Sequence, residues 1–253
     1  MEKPIILVTN DDGITSPGIA TLVSIASKYG EVIVCAPDSP QSGQGHAITL
    51  EHPIKLRKST IFEGIEAYTC SGTPVDCVKL AKHVVLKGRK INLCLSGINH
   101  GSNASINIIY SGTMSAAMEA SIEGIDSIGL SCMDFSYDTD YSHCLPYVDK
   151  LIKSALDRAF PDSQLINVNI PKGEIKGMKV CRQCDGTWIE EFQQGTDPKG
   201  EKYYWLSGRF HNNDQGSDHD IAALKEGYIS IVPSHHDLTH YPSIDQFKYL
   251  EQI

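Results

Sequence analysis

The first two thirds of the chain alternate short apolar runs with segments in which apolar residues recur at every third or fourth position. A continuous apolar run is typical of a strand covered on both faces, and the wider spacing is typical of a helix with one buried face. The runs predict five strands, at residues 5–8, 31–36, 91–96, 127–132 and 165–170. Because a helix is predicted between each consecutive pair, we expect a Rossmann-like, doubly wound α/β fold with a mostly parallel sheet.

The predicted helices carry residues suited to helix ends. Ser16 is placed to cap the first helix, Pro17 fits its first turn, and Gly30 follows its end. The second helix is predicted over residues 73–87, and the third begins at Ser111. A fourth is predicted from the spacing of Val148, Leu151, Ile152, Ala155, Leu156 and Ala159.

Two segments depart from this alternation. Residues 37–70 predict a short antiparallel pair, at 46–50 and 54–58. After Pro171 the pattern changes to short strands separated by turns, at 179–182, 188–192, 203–206 and 228–232. We therefore predict an α/β core over residues 1–174 that carries the active site, and a β-rich oligomerisation extension over residues 175–253.

Composition narrows the class of function. The chain has 22 Lys and Arg against 31 Asp and Glu, a net charge of −9, which argues against binding nucleic acid or an anionic membrane. With 41% hydrophobic residues it is too apolar for a disordered chain. Its apolar runs are far shorter than the roughly 20 residues of a membrane span. No secretory signal is evident and the eight cysteines are too sparse for a disulfide scaffold, so we expect a cytoplasmic protein.

Polar residues follow the first predicted strand, in the segment Asn10-Asp11-Asp12-Gly13. In open α/β sheets, ligands bind in the crevice at the carboxyl ends of the strands. Asp11 and Asp12, just before a helix N-terminus, are therefore a candidate metal cradle. The alternative is an Asx turn, since Asp-Gly is common in turns, and this segment alone leaves both interpretations open.

The second and third strands end in similar polar, glycine-rich segments. After the second, Ser42 and Gly43 offer a hydroxyl and a bare backbone N–H to an anion. The glycine spacing there follows the wrong strand for a dinucleotide fingerprint. After the third, Asn99 offers a neutral oxygen ligand, and Asn103 lies four residues further on.

The next helix begins at Ser111-Gly112-Thr113, and backbone N–H groups at a helix start attract phosphate. Simple N-capping by Ser111 or Thr113 is the alternative, and the two are compatible. Three consecutive parallel strands thus bring oxygen donors to one sheet edge. Hard oxygen ligands suit Mg²⁺ or Mn²⁺ rather than Zn²⁺, and a divalent ion beside phosphate-binding N–H groups indicates phosphate ester chemistry. The donors are Asp11, Asp12, Ser42 and Asn99.

Several segments together resemble the SurE family, also called survival protein E. They are I-L-V-T-N-D-D-G-I-T-S-P-G-I at residues 6–19, S-G at 42–43, G-T-P-V-D-C-V at 72–78, S-G-I-N at 96–99 and Y-S-G-T at 110–113. The tail is similar as well, with D-P-x-G-x-x-Y-Y-W at 197–205 and G-Y-I-S-I-V-P at 227–233. The segments occur in order over nearly the whole chain, so their combination is highly specific.

The resemblance implies a metal-dependent phosphatase that hydrolyses nucleoside 5′- and 3′-monophosphates to nucleoside and phosphate, and in some members also short-chain polyphosphate. It implies a homodimer or homotetramer formed through the C-terminal extension. It implies one divalent ion per subunit, Mg²⁺ or Mn²⁺, held by Asp11, Asp12, Ser42 and Asn99. The phosphate site implied in the same way contains Ser42, Gly43, Asn99, Asn103, Ser111, Gly112 and Thr113, and the catalytic residues are Asp11, Asp12 and Asn103.

One loop departs from the family pattern, which usually reads G-P-N-x-G-D-D. Here residues 101–107 read G-S-N-A-S-I-N, so the acidic pair is lost while Asn103 is kept. We keep the phosphatase prediction because the metal set is intact, and expect the altered loop to affect preference for base and sugar. The alternatives are a nucleotide- or phosphate-binding protein without turnover, and a phosphatase of another phosphomonoester.

Other polar groups lie outside this set. Cys181 and Cys184 have redox-motif spacing but do not precede a helix in a βαβ unit, so unpaired thiols are favoured; a zinc site would need two further ligands. The polar stretch at 214–220 predicts an exposed loop before a helix-like segment at 221–225. The histidine cluster, His235, His236 and His240, predicts an exposed loop, with metal binding as the alternative. Residues 203–205, Tyr-Tyr-Trp, are candidates for core packing or for stacking on a base. We favour packing within or between subunits, because the resemblance places this strand in the C-terminal arm.

Overall fold

The computed structural model describes residues 3–136, 139–158, 160 and 165–252. The first strands are β1 Ile5–Thr9, β2 Glu31–Pro37, β3 Leu56–Ser59, β4 Glu66–Cys70, β5 Leu93–His100, β6 Ser127–Cys132 and β7 Leu165–Ile170. The later strands are β8 Gly177–Val180, β9 Gly186–Ile189, β10 Phe192–Thr196, β11 Lys202–Leu206, β12 Arg209–Asn212 and β13 Tyr228–Ser234. The helices are α1 Pro17–Ala26, α2 Pro74–Leu80, α3 Gly112–Ile122, α4 Leu145–Asp157, α5 Asp220–Lys225 and α6 Ile244–Phe247.

Nine strands form one central sheet in the order β3-β4-β2-β1-β5-β6-β7-β13-β8. The strands from β4 to β7 in that order are parallel, and β3 and β13 pair antiparallel with their neighbours β4 and β7. The prediction of a doubly wound, mostly parallel α/β fold is confirmed. Beyond the five strands that the apolar runs predicted, the parallel strand β4 and the antiparallel strand β3 extend one side of the sheet. At the other side β13 pairs antiparallel with β7, and β8 pairs parallel with β13.

The apolar run of β1 is buried on both faces because helices cover both sides of the sheet. Ile6 and Val8 pack in one core with apolar residues of α1 and α4. Ile5 and Leu7 point to the opposite face and pack with residues of α2 and α3. None of the helices in the described ranges is long and apolar enough to cross a membrane.

The element boundaries confirm most predictions and correct several. β6 and β7 match the predicted strands, whereas β5 runs on to His100 and so contains Asn99. The predicted pair at 46–50 and 54–58 is wrong, because β3 pairs with β4 instead. The predicted strand at 188–192 is two strands, broken where Glu190 adopts a φ of 56°. Helix α4 is confirmed, although Ala159 lies outside the described residues.

The segment after residue 174 divides its strands between two places. β8 and β13 lie in the central sheet, while β9 pairs with β12 and β10 pairs with β11 in two small antiparallel sheets. Helix α5 confirms the helix-like segment predicted at 221–225, and the short helix α6 was not predicted. The division into segments 1–174 and 175–253 stays a prediction.

An irregularity in β5 lets the strand turn its polar end toward the sheet edge. The register against β6 shifts between Ser96 and Asn99, and the Gly97–Ile98 peptide is cis. Helix α1 approaches this point so closely that a Cβ on Gly18 would lie 2.0 Å from the Ile98 carbonyl oxygen. Gly18 therefore has a packing role that helix propensity alone would not suggest.

We expect Gly18→Ala to lower the free energy of unfolding by about 1–3 kcal/mol, because the added methyl overpacks the α1–β5 contact and this exceeds the helix-propensity gain of about 1 kcal/mol. Chemical denaturation measures the change. The control is Ala20→Ser on the exposed face of α1, which should change stability by less than about 0.5 kcal/mol. Equal effects of the two substitutions would contradict the close approach.

Candidate active site

A cleft of about 440 Å³ opens at the carboxyl ends of β1 and β5, beside the start of α3. The predicted site residues therefore meet at one edge of the sheet, as the order of the strands requires. Asp12, Gly112 and Thr113 lie beside this cleft through their contacts with His100 and Asp11. The predicted residues that line it are Asp11, Ser42, Gly43, Asn99, Asn103 and Ser111.

Asp11 is a buried carboxylate at the base of the cleft. Its Oδ1 accepts a hydrogen bond from the Thr113 hydroxyl, and the Thr113 backbone N–H also donates to it. Burial, together with the negative charge of Asp12, raises the pKa of Asp11 to about 6 despite those hydrogen bonds. Gly112 is packed against Asp11 so closely that a Cβ there would lie 2.7 Å from the Asp11 Cβ.

Asp12 faces the end of β5. Its Oδ2 lies 3.1 Å from His100 Nδ1, and the His100 backbone N–H points at the same oxygen over 3.4 Å. The other ring nitrogen of His100 lies 3.2 Å from the Tyr141 hydroxyl. Sequence reasoning did not single out His100 or Tyr141, although both fix the position of a predicted metal ligand.

The loop after β2 is tied down on both sides of Ser42 and Gly43. The Gln41 backbone N–H donates to the Asp11 carbonyl over 2.7 Å, and the Gly45 N–H donates to the Tyr110 carbonyl over 3.2 Å. Ser42 and Gly43 are exposed between these two anchors. Gly43 adopts a φ of 73° with no atom near its Cβ position, so backbone conformation and not crowding favours glycine there.

The side-chain amide of Asn99 is oriented by backbone carbonyls. Its Nδ2 donates to the Gly101 carbonyl over 2.8 Å and to the His100 carbonyl over 3.3 Å. The amide oxygen of Asn99 is therefore the end that remains to accept a hydrogen bond or to bind a cation. With Asp11, Asp12 and Ser42, this donor set consists only of oxygens, and no Lys or Arg in the described part of the chain pairs with either aspartate. The set fits a hard divalent cation.

The start of α3 is compatible with both interpretations of Ser111-Gly112-Thr113, as an N-cap and as a phosphate-binding segment. Ser111 is the N-cap, and its hydroxyl accepts a hydrogen bond from the Met114 backbone N–H over 3.0 Å. The Thr113 hydroxyl is engaged with Asp11. These two hydroxyls therefore have partners already, and so do the backbone N–H groups of Thr113 and Met114. A bound phosphate would meet chiefly the Gly112 N–H at the start of the helix.

Asn103 is held by a buried network that sequence reasoning missed. Its side-chain Nδ2 donates to the Ser131 hydroxyl over 2.8 Å. Its backbone N–H donates to Asn169 Oδ1 over 2.8 Å, and its carbonyl accepts from Asn167 Nδ2 over 2.9 Å. Asn169 and Asn167 also bond each other, and the Ser102 hydroxyl donates to Asn169. The available signal was the two asparagines at alternate positions of the otherwise apolar strand β7.

The loop after Asn103 contacts the C-terminal segment. Asp220 is buried and accepts hydrogen bonds from the backbone N–H groups of Ser105, over 2.7 Å, and Cys184, over 3.0 Å. The Ser105 hydroxyl donates to the Cys184 carbonyl over 2.8 Å. The prediction of an exposed loop at 214–220 is therefore wrong for its last residues, since His219 is buried as well.

Cys184, Asp214 and His219 each offer a ligand atom within 4.8 Å of the others. Arg182 already pairs with the Asp214 carboxylate, and His219 Nδ1 accepts the Ala222 backbone N–H over 3.1 Å. The Asp214 carboxylate and the His219 Nδ1 are therefore already engaged in structural contacts. The interpretation of Cys181 and Cys184 as unpaired thiols is confirmed, and all eight cysteines are free. The three histidines at 235, 236 and 240 are exposed, as predicted.

Comparison with known proteins gives one consistent family. The model of the family described as survival protein SurE matches residues 6–190. The chain belongs to the SurE family. It is 55% identical to a protein of Christiangramia forsetii named 5′-nucleotidase SurE, over 94% of this chain and 93% of that one. A protein of the same name from Cytophaga hutchinsonii is 51% identical, over 97% and 96% of the two chains.

The fold of this SurE chain is also that of a solved relative. The crystal structure of the SurE protein from Aquifex aeolicus superposes with a TM-score of 0.85 at 38% sequence identity, covering 98% of this chain and 100% of that one. The resemblance drawn from the motifs is therefore confirmed. The residue roles that it implied stay predictions. The residues themselves lie in or beside one cleft.

We expect Asn169→Ala to lower the free energy of unfolding by about 1–3 kcal/mol, because it leaves the Asn103 backbone N–H and the Ser102 hydroxyl without their shared acceptor. Thermal and chemical unfolding measure the loss. Ser102→Ala is the matched control: it removes a hydroxyl from the same network but keeps the bond from Asn103 to Asn169, so its loss should be smaller. A larger loss in Ser102→Ala would show that Asn169 is not the centre of the network.

Proposed function

We propose that this protein is a metal-dependent nucleotidase that hydrolyses nucleoside 5′- and 3′-monophosphates to nucleoside and phosphate. The observation that carries the proposal is the buried Asp11 carboxylate, which lies beside Asp12 with neither paired to a Lys or Arg in the described residues. Burying adjacent carboxylates is costly unless a cation compensates them. The names of the relatives, 5′-nucleotidase SurE, support the same reaction.

We propose one divalent ion per subunit, Mg²⁺ or Mn²⁺, with Asp11, Asp12, Ser42 and Asn99 as its protein ligands. When bound, such an ion polarises a phosphoryl oxygen and lowers the pKa of a coordinated water. Thr113 holds Asp11 by two hydrogen bonds and His100 holds Asp12, so both carboxylates are oriented before a ligand arrives. Preorganisation of this kind avoids reorganisation during the reaction.

The chain's other groups are placed to bind the phosphate. Gly43 is exposed in the cleft, and the backbone N–H of Gly112 begins α3 beside Asp11. Thr113, whose hydroxyl and N–H both bond Asp11, would act through that carboxylate. Asn103 lines the same cleft and is fixed by the β6–β7 network. We assign Gly43, Gly112 and Asn103 to the equatorial phosphoryl oxygens, where added negative charge in the transition state strengthens each hydrogen bond. Short-chain polyphosphate is a second substrate that this site would accept.

Asp11→Asn tests the reaction. The substitution removes the charge and keeps the size, so we expect metal-dependent phosphate release to fall by more than about 100-fold, since loss of even an outer-shell partner of a metal costs about 10- to 100-fold. Release from nucleoside monophosphates is measured with Mg²⁺, with Mn²⁺ and with EDTA. The binding of Mn²⁺, followed by calorimetry, should weaken in the same variant.

Asp245→Asn is the matched control, because Asp245 is exposed and its ion-pair partner among the described residues is Lys248, far along the chain from the site residues. It should leave phosphate release and Mn²⁺ binding unchanged. Near-normal phosphate release by Asp11→Asn, or full phosphate release in EDTA, would contradict the metal-dependent mechanism. Nucleotide binding without release from any substrate would favour the binding-protein alternative.

We further propose a cytoplasmic homodimer or homotetramer formed through the C-terminal extension. Within the described ranges, strands β10 and β11 form a sheet of two strands, and an isolated two-stranded hairpin is marginally stable. Every residue of β11 is exposed, including Tyr203, Tyr204 and Trp205. Tyr203 lies against Gly195 of the neighbouring strand but stays 44% exposed. Packing between subunits would bury the exposed surface of all three aromatic residues. Light scattering in solution tests the assembly, and a monomer would contradict it.

A further inference from the structure

Three exposed aromatic side chains line the same cleft as the candidate phosphate site. The exposed fractions are 56% for Tyr110, 80% for Phe135 and 38% for Trp188. The rest of the lining is polar or glycine. Flat apolar surface next to an anion site suits a ligand that combines a charged group with a planar ring. The phosphate chemistry proposed above uses none of these three residues.

Trp188 is held in a fixed orientation. Its indole Nε1 donates a hydrogen bond to Asn107 Oδ1 over 2.8 Å. Its ring also packs against Phe210 in a T-shaped arrangement, with centroids 6.1 Å apart and planes at 76°. The two contacts restrain the indole, and 38% of Trp188 stays exposed beside the cleft that it lines.

Phe135 lies against the loop on the other side of Asn99. Gly101 adopts a φ of 101°, and a Cβ there would lie 2.5 Å from Phe135 Cε1. The Phe135 ring thus occupies the space that the absent side chain leaves. Two aromatic rings, one carried by the C-terminal segment and one by the loop after β6, therefore border the polar cleft.

We propose that Trp188 stacks on the base of the nucleoside monophosphate, with Phe135 forming a second apolar wall, and that Asn107 is a positioning residue that orients the indole. The inference rests on the proposed nucleotidase function and names the part of the site that recognises the nucleoside. Stacking on an aromatic ring accepts any base, because every base has a π-face. The site would therefore discriminate nucleotides from simpler phosphomonoesters more than it discriminates one base from another.

Asn107 connects this inference to the loop that departs from the family pattern. It occupies the position where that pattern has the second residue of the acidic pair. A carboxylate at the same position could still accept the indole N–H, so Asn107→Asp should keep Trp188 in place. Asn107→Leu has similar size and cannot accept the hydrogen bond.

The first experiment compares kcat/KM for a nucleoside 5′-monophosphate with kcat/KM for ribose 5-phosphate, which has the same phosphate and sugar without a base. We expect Trp188→Ala to lower the ratio of the two by roughly 10- to 100-fold. Trp188→Phe should retain part of the preference for the nucleotide, and the change in Trp188→Ala should appear mainly in the KM for the nucleotide. Asn107→Leu should lower the ratio, whereas Asn107→Asp should leave it close to that of the unsubstituted protein.

The control variant is Trp205→Phe, which changes the chain's other tryptophan, exposed on β11 away from the cleft. It should leave the ratio unchanged, and it makes Trp188 the sole indole. Adding adenosine to this variant should quench the tryptophan emission, while ribose should not. This readout needs neither turnover nor a substitution at Trp188, so it is independent of misfolding in Trp188→Ala.

The outcomes separate the two proposals. An unchanged substrate ratio in Trp188→Ala and no quenching by adenosine, with phosphate release still metal-dependent, would overturn the stacking proposal and leave the nucleotidase intact. Quenching by adenosine without release from any phosphomonoester would support the stacking site and overturn the reaction. A lowered ratio together with quenching would support both.

Discussion

The site depends on one unfavourable arrangement: the Asp11 carboxylate is buried at the end of β1 next to a second carboxylate. The raised pKa of Asp11 reflects the free-energy cost of ionising this carboxyl group, because burial and the charge of Asp12 both disfavour the ionised form. Two donors from Thr113 offset part of it. Gly112 lets the start of α3 pack tightly against Asp11, because a side chain there would collide with the Asp11 Cβ. The start of α3, the order of the central strands and the small residues at this edge all serve to hold that carboxylate in place.

The neighbouring ligands are positioned by backbone irregularities. Asn99 reaches the cleft because β5 shifts register after Ser96, and Gly18 permits α1 to pack against that shift. Asn103 follows a tight turn whose polar groups are satisfied from β6 and β7. The sheet itself carries Asn99 within β5, and the short segments that follow β1 and β2 carry Asp11, Asp12 and Ser42. Such anchoring explains how loop residues can reach the precision that a metal site requires.

Local patterns were enough to predict the core of this fold. The β6 and β7 runs predicted their strands correctly because both are buried on both faces, and Ser111 predicted the start of α3 because capping is a local interaction. The pairing of β3 with β4 was missed although the two strands are close in the sequence, because the polar strand β3 has no apolar run. The strand break at Glu190 was missed because β9 and β10 pair with different strands. The Asn167–Asn169 network and the burial of Asp220 were missed because their partners are distant in the chain. Their polar residues resemble loop residues until the partner strand is known.

The altered loop at 101–107 is best understood through its contacts with the C-terminal segment. Ser105 stands where the family pattern has glycine, and it adopts a φ of 56° that disfavours a side chain. Its backbone N–H and hydroxyl both bond the segment, to Asp220 and to the Cys184 carbonyl, which offsets that strain. Asn107, in place of an acidic residue, accepts from Trp188. The loop that borders the cleft is thus held by the C-terminal segment, so a change in one is expected to require a matching change in the other.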